Sequence, residues 1–292
     1  MILNNLGQTG LKVSALGFGA MHINDERTSE LEAGALLNHV LDEGITLIDT
    51  ARGYGLSEER IGRHIAHRRA EFVLSTKVGY GVEGVADWTY DCIFAGVERA
   101  LKLMKTDWLD IVHLHSCPLH VLEQGDVIRA LADCRQQGKL RVPAYSGDNA
   151  EIDFAIGCGA FRSIQTSISV CDQAHLAQRA ALAAHAGMGV IAKRPLAGAV
   201  WRHAQRPGDF AEGQYWDRFQ AMGLTGAEDW ADVALRFTAF HTGAASAIVG
   251  TAKPANLRRN LDAIARGPLA PAMARTLRDA FAPHDNEWPG LI

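Results

Sequence analysis

The amino-acid sequence predicts an α/β fold, a (β/α)8 parallel barrel with an N-terminal hairpin plug, and three observations predict it. Short β-branched, apolar runs alternate with amphipathic stretches of helical spacing. The alternation repeats eight times, which an open doubly wound sheet rarely sustains. The 292 residues are 48% hydrophobic, enough for a sizeable core, and a barrel of ~250 residues forms one domain at such lengths. The expected organisation is therefore a single domain over 1–292.

Taken in order, residues 1–13, with Gly7, Thr9 and Gly10, read as a short hairpin that closes the barrel floor. The eight strands are read at residues 14–19, 46–50, 72–78, 109–115, 142–146, 163–169, 189–195 and 246–250. The first helix, 30–43, places Leu31, Ala35, Leu36, His39 and Val40 at helical spacing, with Gly44 as its stop. Ser57 is read as the N-cap of the second, with Glu58 and Glu59 in the first turn where the helix dipole favours them. Helices at 89–105, 121–137, 149–156, 174–186, 227–240 and 254–266 follow, Gly138 and Gly187 stopping two of them. Residues 198–226 break the repeat with two tryptophans, several glycines and a proline. A connection of that length is read as a substrate loop overhanging the active face.

Composition excludes several classes of function. With 29 Lys+Arg against 33 Asp+Glu and a net charge of −4, the chain lacks the clustered cations that a polyanion needs, so no nucleic-acid partner is expected. The runs His67-Arg68-Arg69 and Arg258-Arg259 read as solvated helix faces. Five cysteines, at 92, 117, 134, 158 and 171, show no C-x-x-C spacing and leave one unpaired, which points to reduced thiols and a cytoplasmic location. The N-terminus lacks a basic lead-in to an apolar block, and no run of ~18 uncharged apolar residues occurs, so neither targeting nor a membrane partner is expected. No P-loop is present, and the G-x-G at Gly17 and Gly19 lacks the rest of a dinucleotide fingerprint. Nothing in the sequence specifies an oligomeric state.

Chemistry in a barrel sits at the C-terminal strand ends. There the second strand ends in Asp49, the third reaches Lys77, and the fourth ends in His113-Leu114-His115. Strands five to seven offer Ser146, Gln165 and Lys193. An unpaired charge in such a place costs several kcal/mol, so Asp, Lys and His on consecutive strands point to a site. The strand period of two puts both imidazoles on one face, His115 at the rim and His113 one layer below as a satisfied core histidine.

Tyr54, between Gly53 and Gly55, sits on a tight loop within reach of Asp49. A free phenol titrates near pH ~10, and an adjacent ammonium makes it a better acid. Lys77 is read as that ammonium, with Asp49 holding it charged and oriented. A Tyr–Lys–Asp chain beside a neutral histidine suits an oxygen that gains negative charge, as a carbonyl does when hydride arrives. Tyr80, in a second Gly-Tyr-Gly, ranks below Tyr54 for the donor role. Met21 and Trp88, with the 198–226 segment, are expected to border the substrate pocket.

The strings Asp49-Thr50-Ala51-x-x-Tyr54-Gly55-x-Ser57-Glu58, Ser75-Thr76-Lys77-Val78 and Thr106-Asp107-x-x-Asp110-x-x-x-x-His115 resemble those of the aldo-keto reductases. That family consists of (β/α)8 barrels that reduce aldehydes and ketones with NADPH and without metal. The resemblance, which runs from the hairpin through Asn260, implies Tyr54 as general acid, Lys77 and Asp49 tuning it, and His115 positioning a small carbonyl substrate. It also implies an NADP(H) site. Ser146 and Gln165, with Lys193, Arg194, Pro195 and Leu196, would serve the nicotinamide end. Gly250, Thr251, Lys253, Asn256 and Asn260 would serve the adenosine end, Lys253 meeting the 2′-phosphate.

Two departures from the family pattern stand out. Gly147 follows Ser146 where an asparagine is usual, so it offers no side-chain amide. Lys193 stands where many members carry the tyrosine that stacks on nicotinamide, so the ring packs differently or against another side chain. Two other readings are weighed. One is a metal-dependent barrel hydrolase using His113/His115, which needs further strand-end histidines, whereas His175, His185 and His241 fall on helical segments. The other is a non-catalytic NADP-binding regulatory subunit, since some members of the family are channel partner subunits. A Schiff-base role for Lys77 or Lys193 ranks below these, since Asp49 would keep the Lys77 amine protonated.

Overall fold

The structure, a computed structural model, describes residues 1–291. Strand β1 (Leu3–Asn5) pairs antiparallel with β2 (Lys12–Ser14) to make the expected hairpin. Leu6, Leu11 and Val13 from it are buried in one cluster with Leu47, Val73, Ile111, Val142 and Ile191, which fills the lower barrel. Gly7 lies at φ +52°, and a Cβ there would come within 2.5 Å of the Gly187 carbonyl. Only glycine lets the hairpin press this closely onto the loop before the seventh barrel strand.

The barrel is closed by eight parallel strands: β3 (Leu16–Gly19), β4 (Leu47–Asp49), β5 (Val73–Val78), β6 (Leu109–His115), β7 (Leu140–Ser146), β8 (Ser163–Ser167), β9 (Gly189–Lys193) and β10 (Ser246–Val249). They follow chain order around the barrel, and β10 pairs with β3. The period of two is visible on β6. Ile111 packs in the inner cluster, whereas Val112 and Leu114 join the shell of apolar residues shared with the helices.

The outer layer holds α1 (Glu30–Asp42), α2 (Ser57–His64), α3 (Tyr90–Met104), α4 (Leu119–Gln124), α5 (Asp126–Gln136), α6 (Asn149–Gly157), α7 (Leu176–His185), α8 (Phe210–Ala221), α9 (Trp230–His241), α10 (Pro254–Ala265) and α11 (Pro271–Phe281). Helix α1 opens on a capping box in which Ser29 and Glu32 satisfy each other's backbone N–H groups. Among the described residues no helix is long and apolar enough to cross a membrane.

Three expectations are corrected. Ser57 is not an N-cap: it is the first residue of α2, behind Leu56, and its hydroxyl lies 2.8 Å from Thr50 Oγ1 and donates to the Ala20 carbonyl at 2.9 Å. Long-range buried partners have claimed a side chain that local propensity would spend on the helix end. The stretch 121–137 is two helices, because Gly125 takes a left-handed conformation (φ +83°) between α4 and α5. Residues 198–226 border the strand-end cavity as expected, through Gly198, Ala199, Arg202 and Glu212, but they are not loop throughout. They contain α8, capped by Asp209, whose Tyr215 and Phe219 pack with Val233 and Phe237 of α9. Helix α11 lies beyond the eightfold repeat and was not expected from the sequence.

Candidate active site

Parallel pairing places the polar strand ends side by side, with Lys77 opposite His113, His115 opposite Ser146, and Ser146 opposite Gln165. Within this ring Lys77 is 2% exposed. Its Nζ donates to Asp49 Oδ2 at 2.6 Å and to the Thr50 carbonyl at 2.9 Å, and it reaches Tyr54 Oη at 3.5 Å. The other Asp49 oxygen accepts from Ser75 Oγ at 2.8 Å and from Gln165 Nε2 at 2.9 Å. Burial by itself would neutralise both partners. The Lys77 charge, with that of a protonated His113, outweighs it at Asp49, whose pKa falls below the usual carboxylate value. The Asp49 charge, and then Tyr54, hold Lys77 above the usual ammonium value. The pair is ionised, and its hydrogen bonds compensate the desolvation.

Tyr54 is set by its turn, in which its N–H donates to the Ala51 carbonyl and its carbonyl accepts from Ser57. Gly55 (φ +44°) passes so close to Asn24 that a Cβ would lie 2.2 Å from the Asn24 carbonyl oxygen. The Tyr54 ring meets His115 edge to face at 6.1 Å, and Lys77 Nζ stands 4.9 Å from its centre.

His115 Nδ1 lies 2.8 Å from Tyr80 Oη, and the two rings stack at 5.5 Å. Burial, then the positive charges of Lys77 and Lys193, push the pKa of His115 down to about 3, so the ring is neutral at ordinary pH. His113 is fully buried, and burial lowers its pKa to about 4. Its Nε2 lies 3.1 Å from Ser75 Oγ, but among the described residues its Nδ1 has no hydrogen-bond partner. His113 is thus a core histidine satisfied at one nitrogen, not at both.

A cavity of about 600 Å³ opens over these groups. Asp49, Tyr54, Lys77 and His115 line it together with Met21, Ser146, Gln165, Lys193, Arg194, Pro195, Leu196 and Gly250. A second cavity of about 550 Å³ shares Leu196, Ala199, Arg202, Val249 and Gly250 with the first and continues past Thr251, Asn256 and Asn260. Helix α10 begins there on Pro254, and among the described residues no side chain caps its N-terminus, where Asn256 and Leu257 N–H turn to the Lys253 carbonyl.

Two predicted residues stand elsewhere. Lys253, the N-cap residue of α10, does not line the second cavity; Arg202, Arg259 and Arg266 do. Trp88 lines neither cavity and packs edge-on against Tyr80 at 5.8 Å.

The departures noted in the sequence have structural counterparts. Lys193 Nζ pairs at 2.8 Å with Asp148, which is 2% exposed at its side chain and also accepts from Thr166 Oγ1 and from the N–H and hydroxyl of Ser167. At Gly147 a Cβ would come within 2.5 Å of Tyr145 Oη, so a side chain there would require the buried Tyr145 ring to shift. Ser146 Oγ donates to Gln165 Oε1 at 3.0 Å. Arg194 donates to the Leu291 carbonyl at 2.7 Å. No local signal in the sequence marks Asp148 as the partner of Lys193; Arg259, read there as part of a solvated helix face, lines the second cavity, and Tyr80, ranked below Tyr54 as donor, lies against His115. Among the described residues no group of three or more His, Cys, Asp or Glu is placed to hold a metal.

Comparison with known proteins agrees with this architecture. L-galactose dehydrogenase of Arabidopsis thaliana is 32% identical over 154 residues, which cover 50% of this chain and 48% of that protein. Aldo-keto reductase YhdN of Bacillus subtilis is 32% identical over 173 residues, 52% of this chain and 48% of that protein. The chain thus matches about half the length of these relatives. The solved structure of the aldo-keto reductase AKR11C1 from Bacillus halodurans, in its holo form, superposes with a TM-score of 0.84 at 25% identity and 96% coverage of both chains. Residues 15–281 match the Aldo/keto reductase family model. With a closed eight-stranded barrel whose polar strand ends converge on one cavity, the chain belongs to the aldo/keto reductase family.

Proposed function

We propose that this protein reduces an aldehyde or ketone to an alcohol, with NADPH as the hydride donor and Tyr54 as the general acid. The observation that carries the reading is the buried, ionised Asp49–Lys77 pair, whose ammonium also reaches the Tyr54 hydroxyl. A fixed positive charge beside that oxygen favours the phenolate left after proton donation. Asp49, with its oxygens engaged by Lys77, Ser75 and Gln165, keeps the ammonium in place. His115, neutral and on the cavity wall, orients the substrate carbonyl.

The residues present fit a dinucleotide. Two connecting cavities give room for a long ligand, and the uncapped α10 N-terminus with nearby arginines suits an anionic end. Ser146, Gln165, Lys193, Arg194, Pro195 and Leu196 would hold the nicotinamide half, and Gly250, Thr251, Asn256 and Asn260 the adenosine half, with Lys253 at its edge. Bound there, NADPH supplies hydride. Residues 1–292 would act as one domain on a small carbonyl compound, and five free cysteines accord with a cytoplasmic setting.

Fluorescence titration with NADPH followed by a panel of aldehydes and ketones tests the reading. Binding with turnover is expected. Binding without turnover on any carbonyl would favour the regulatory-subunit reading, and absence of binding would overturn the proposal. The hydrolase reading finds less support, because His113 is bonded to Ser75 and His115 to Tyr80.

A further inference from the structure

The segment after β5 is built around one side chain. Gly79 (φ +144°) and Gly81 (φ +71°) hold conformations that other residues rarely adopt, and they turn Tyr80 inward between them. The loop closes on itself: Trp88 N–H donates to the Gly79 carbonyl, and Gly81 N–H donates to Asp87 Oδ1, both at 2.8 Å. The Trp88 ring occupies the space a Gly79 Cβ would take, 2.1 Å from its ideal position. The Tyr80 ring is thereby held between Trp88 and His115. Gly53, just before Tyr54, leaves room for the Tyr80 hydroxyl, which would lie 3.0 Å from a Cβ at that position.

We infer that Tyr80 is a positioning residue for the proposed reduction: its hydroxyl donates to Nδ1 of His115 and thereby leaves the imidazole hydrogen on Nε2, the nitrogen available to a substrate oxygen. The inference deepens the carbonyl-reductase reading and rests on it for the role of His115. A neutral imidazole carries one hydrogen, and the 2.8 Å contact consumes either that hydrogen or the phenolic one. Were the ring the donor, the half-buried Tyr80 hydroxyl would have to turn its own hydrogen to solvent, and Nε2 would be left without a hydrogen on the cavity side. Burial, with the nearby Tyr54 oxygen, raises the Tyr80 pKa and keeps that hydrogen in place. With Tyr80 donating, this one contact satisfies the phenolic hydrogen and the Nδ1 lone pair together. His115 then offers a carbonyl an N–H donor, where the other tautomer would offer a repelling lone pair. Tyr80 is thus a second tyrosine with a task distinct from that of Tyr54, and it acts on substrate only through the ring it orients.

The test is nitrogen NMR of the free protein with 15N-labelled histidine, the His115 signals being assigned by their loss in His115→Gln. In the unaltered protein Nδ1 is expected to be the unprotonated, hydrogen-bonded nitrogen. In Tyr80→Phe, which keeps the ring and its stacking, the Nδ1 resonance should move to that of an unbonded nitrogen and the Nδ1–H tautomer should appear. Hydrogen on Nδ1 in the unaltered protein, or identical His115 spectra in both, overturns the inference. These spectra need no cofactor or substrate, so they decide the tautomer separately from whether the chain reduces carbonyls. As a second readout, Tyr80→Phe should lower kcat for an aldehyde about tenfold, the worth of one oriented hydrogen bond, with NADPH Kd unchanged. An unchanged kcat would overturn the positioning role.

Discussion

The Lys77 ammonium stands 3.5 Å from the Tyr54 hydroxyl and 4.9 Å from the centre of its ring, so it touches the proposed proton donor at both the oxygen and the π-face. Tyr54→Phe keeps the ring and removes only the hydrogen to be given. Turnover of an aldehyde should fall by about 10²- to 10⁴-fold, the usual share of a general acid, while NADPH Kd stays close to that of the native protein. Steady-state kinetics with fluorescence titration check this, and unchanged turnover removes Tyr54 from the role.

The Asp49–Lys77 pair also bears on stability. Replacing Lys77 by Met strands a carboxylate that is 4% exposed, and Asp49→Asn strands the ammonium. Each single change should cost about 3–5 kcal/mol, the range for breaking a buried pair. The double variant should cost clearly less than the sum, because neither charge is then left alone. Urea denaturation of the four proteins reads the cycle; additive losses would mean that the two groups do not interact.

Acid should weaken the fold through His113. Its pKa is about 4 in the folded chain, against ~6.5 for an exposed histidine. Between those values the unfolded chain holds a proton that the native one refuses. The histidine's contribution is therefore complete above pH ~6.5 and is lost as pH falls towards the folded value, about 2 kcal/mol of it by pH ~5. Asp172 works the other way, since burial lifts its pKa to about 7 and its protonation favours the folded state as pH drops below that. The His113 share is therefore the difference between the native protein and His113→Gln in urea melts at pH 7 and 5. Parallel losses in both proteins would refute it.

Cofactor selectivity separates two cations. Arg259 lines the second cavity, paired at 3.3 Å with Asp229, whereas Lys253 only occupies the N-cap position of α10, outside that lining. Arg259→Ala should weaken NADPH more than NADH, by about tenfold for one charge-assisted contact. Lys253→Ala should produce the same bias only if its side chain swings to the 2′-phosphate. Titration of both variants with both dinucleotides decides which residue recognises the phosphate, and equal weakening of NADPH and NADH throughout would remove both.

Much of this site was readable before any coordinates. Asp49, Lys77 and His115 end apolar runs, and the Gly-Tyr-Gly around Tyr54 marks a tight loop, so residue type and local position sufficed. The site's finer partners were not readable. Asp148 ends no apolar run, yet it anchors Lys193, 45 residues along the chain by their numbers. Gln165 turns its amide to Asp49 across 116 residues. Tyr80 showed its turn but not its contact with His115, because that contact depends on how Trp88 and the 79–89 loop close. The break at Gly125 and the capture of the Ser57 hydroxyl were misread for a related reason: helical spacing and cap preference are local averages, and each was overridden by one conformation or one distant partner.

The chain alone determines the barrel and which residues stand at its rim. Period-two strands followed by helices close in sequence order, so the last residue of each strand becomes the neighbour of the next strand's last residue. Which of those neighbours pair is decided only in the folded molecule. A buried charge or hydroxyl takes whichever partner satisfies it at the lowest desolvation cost, and that partner comes from loops and strands whose separation in the sequence carries no record of their meeting.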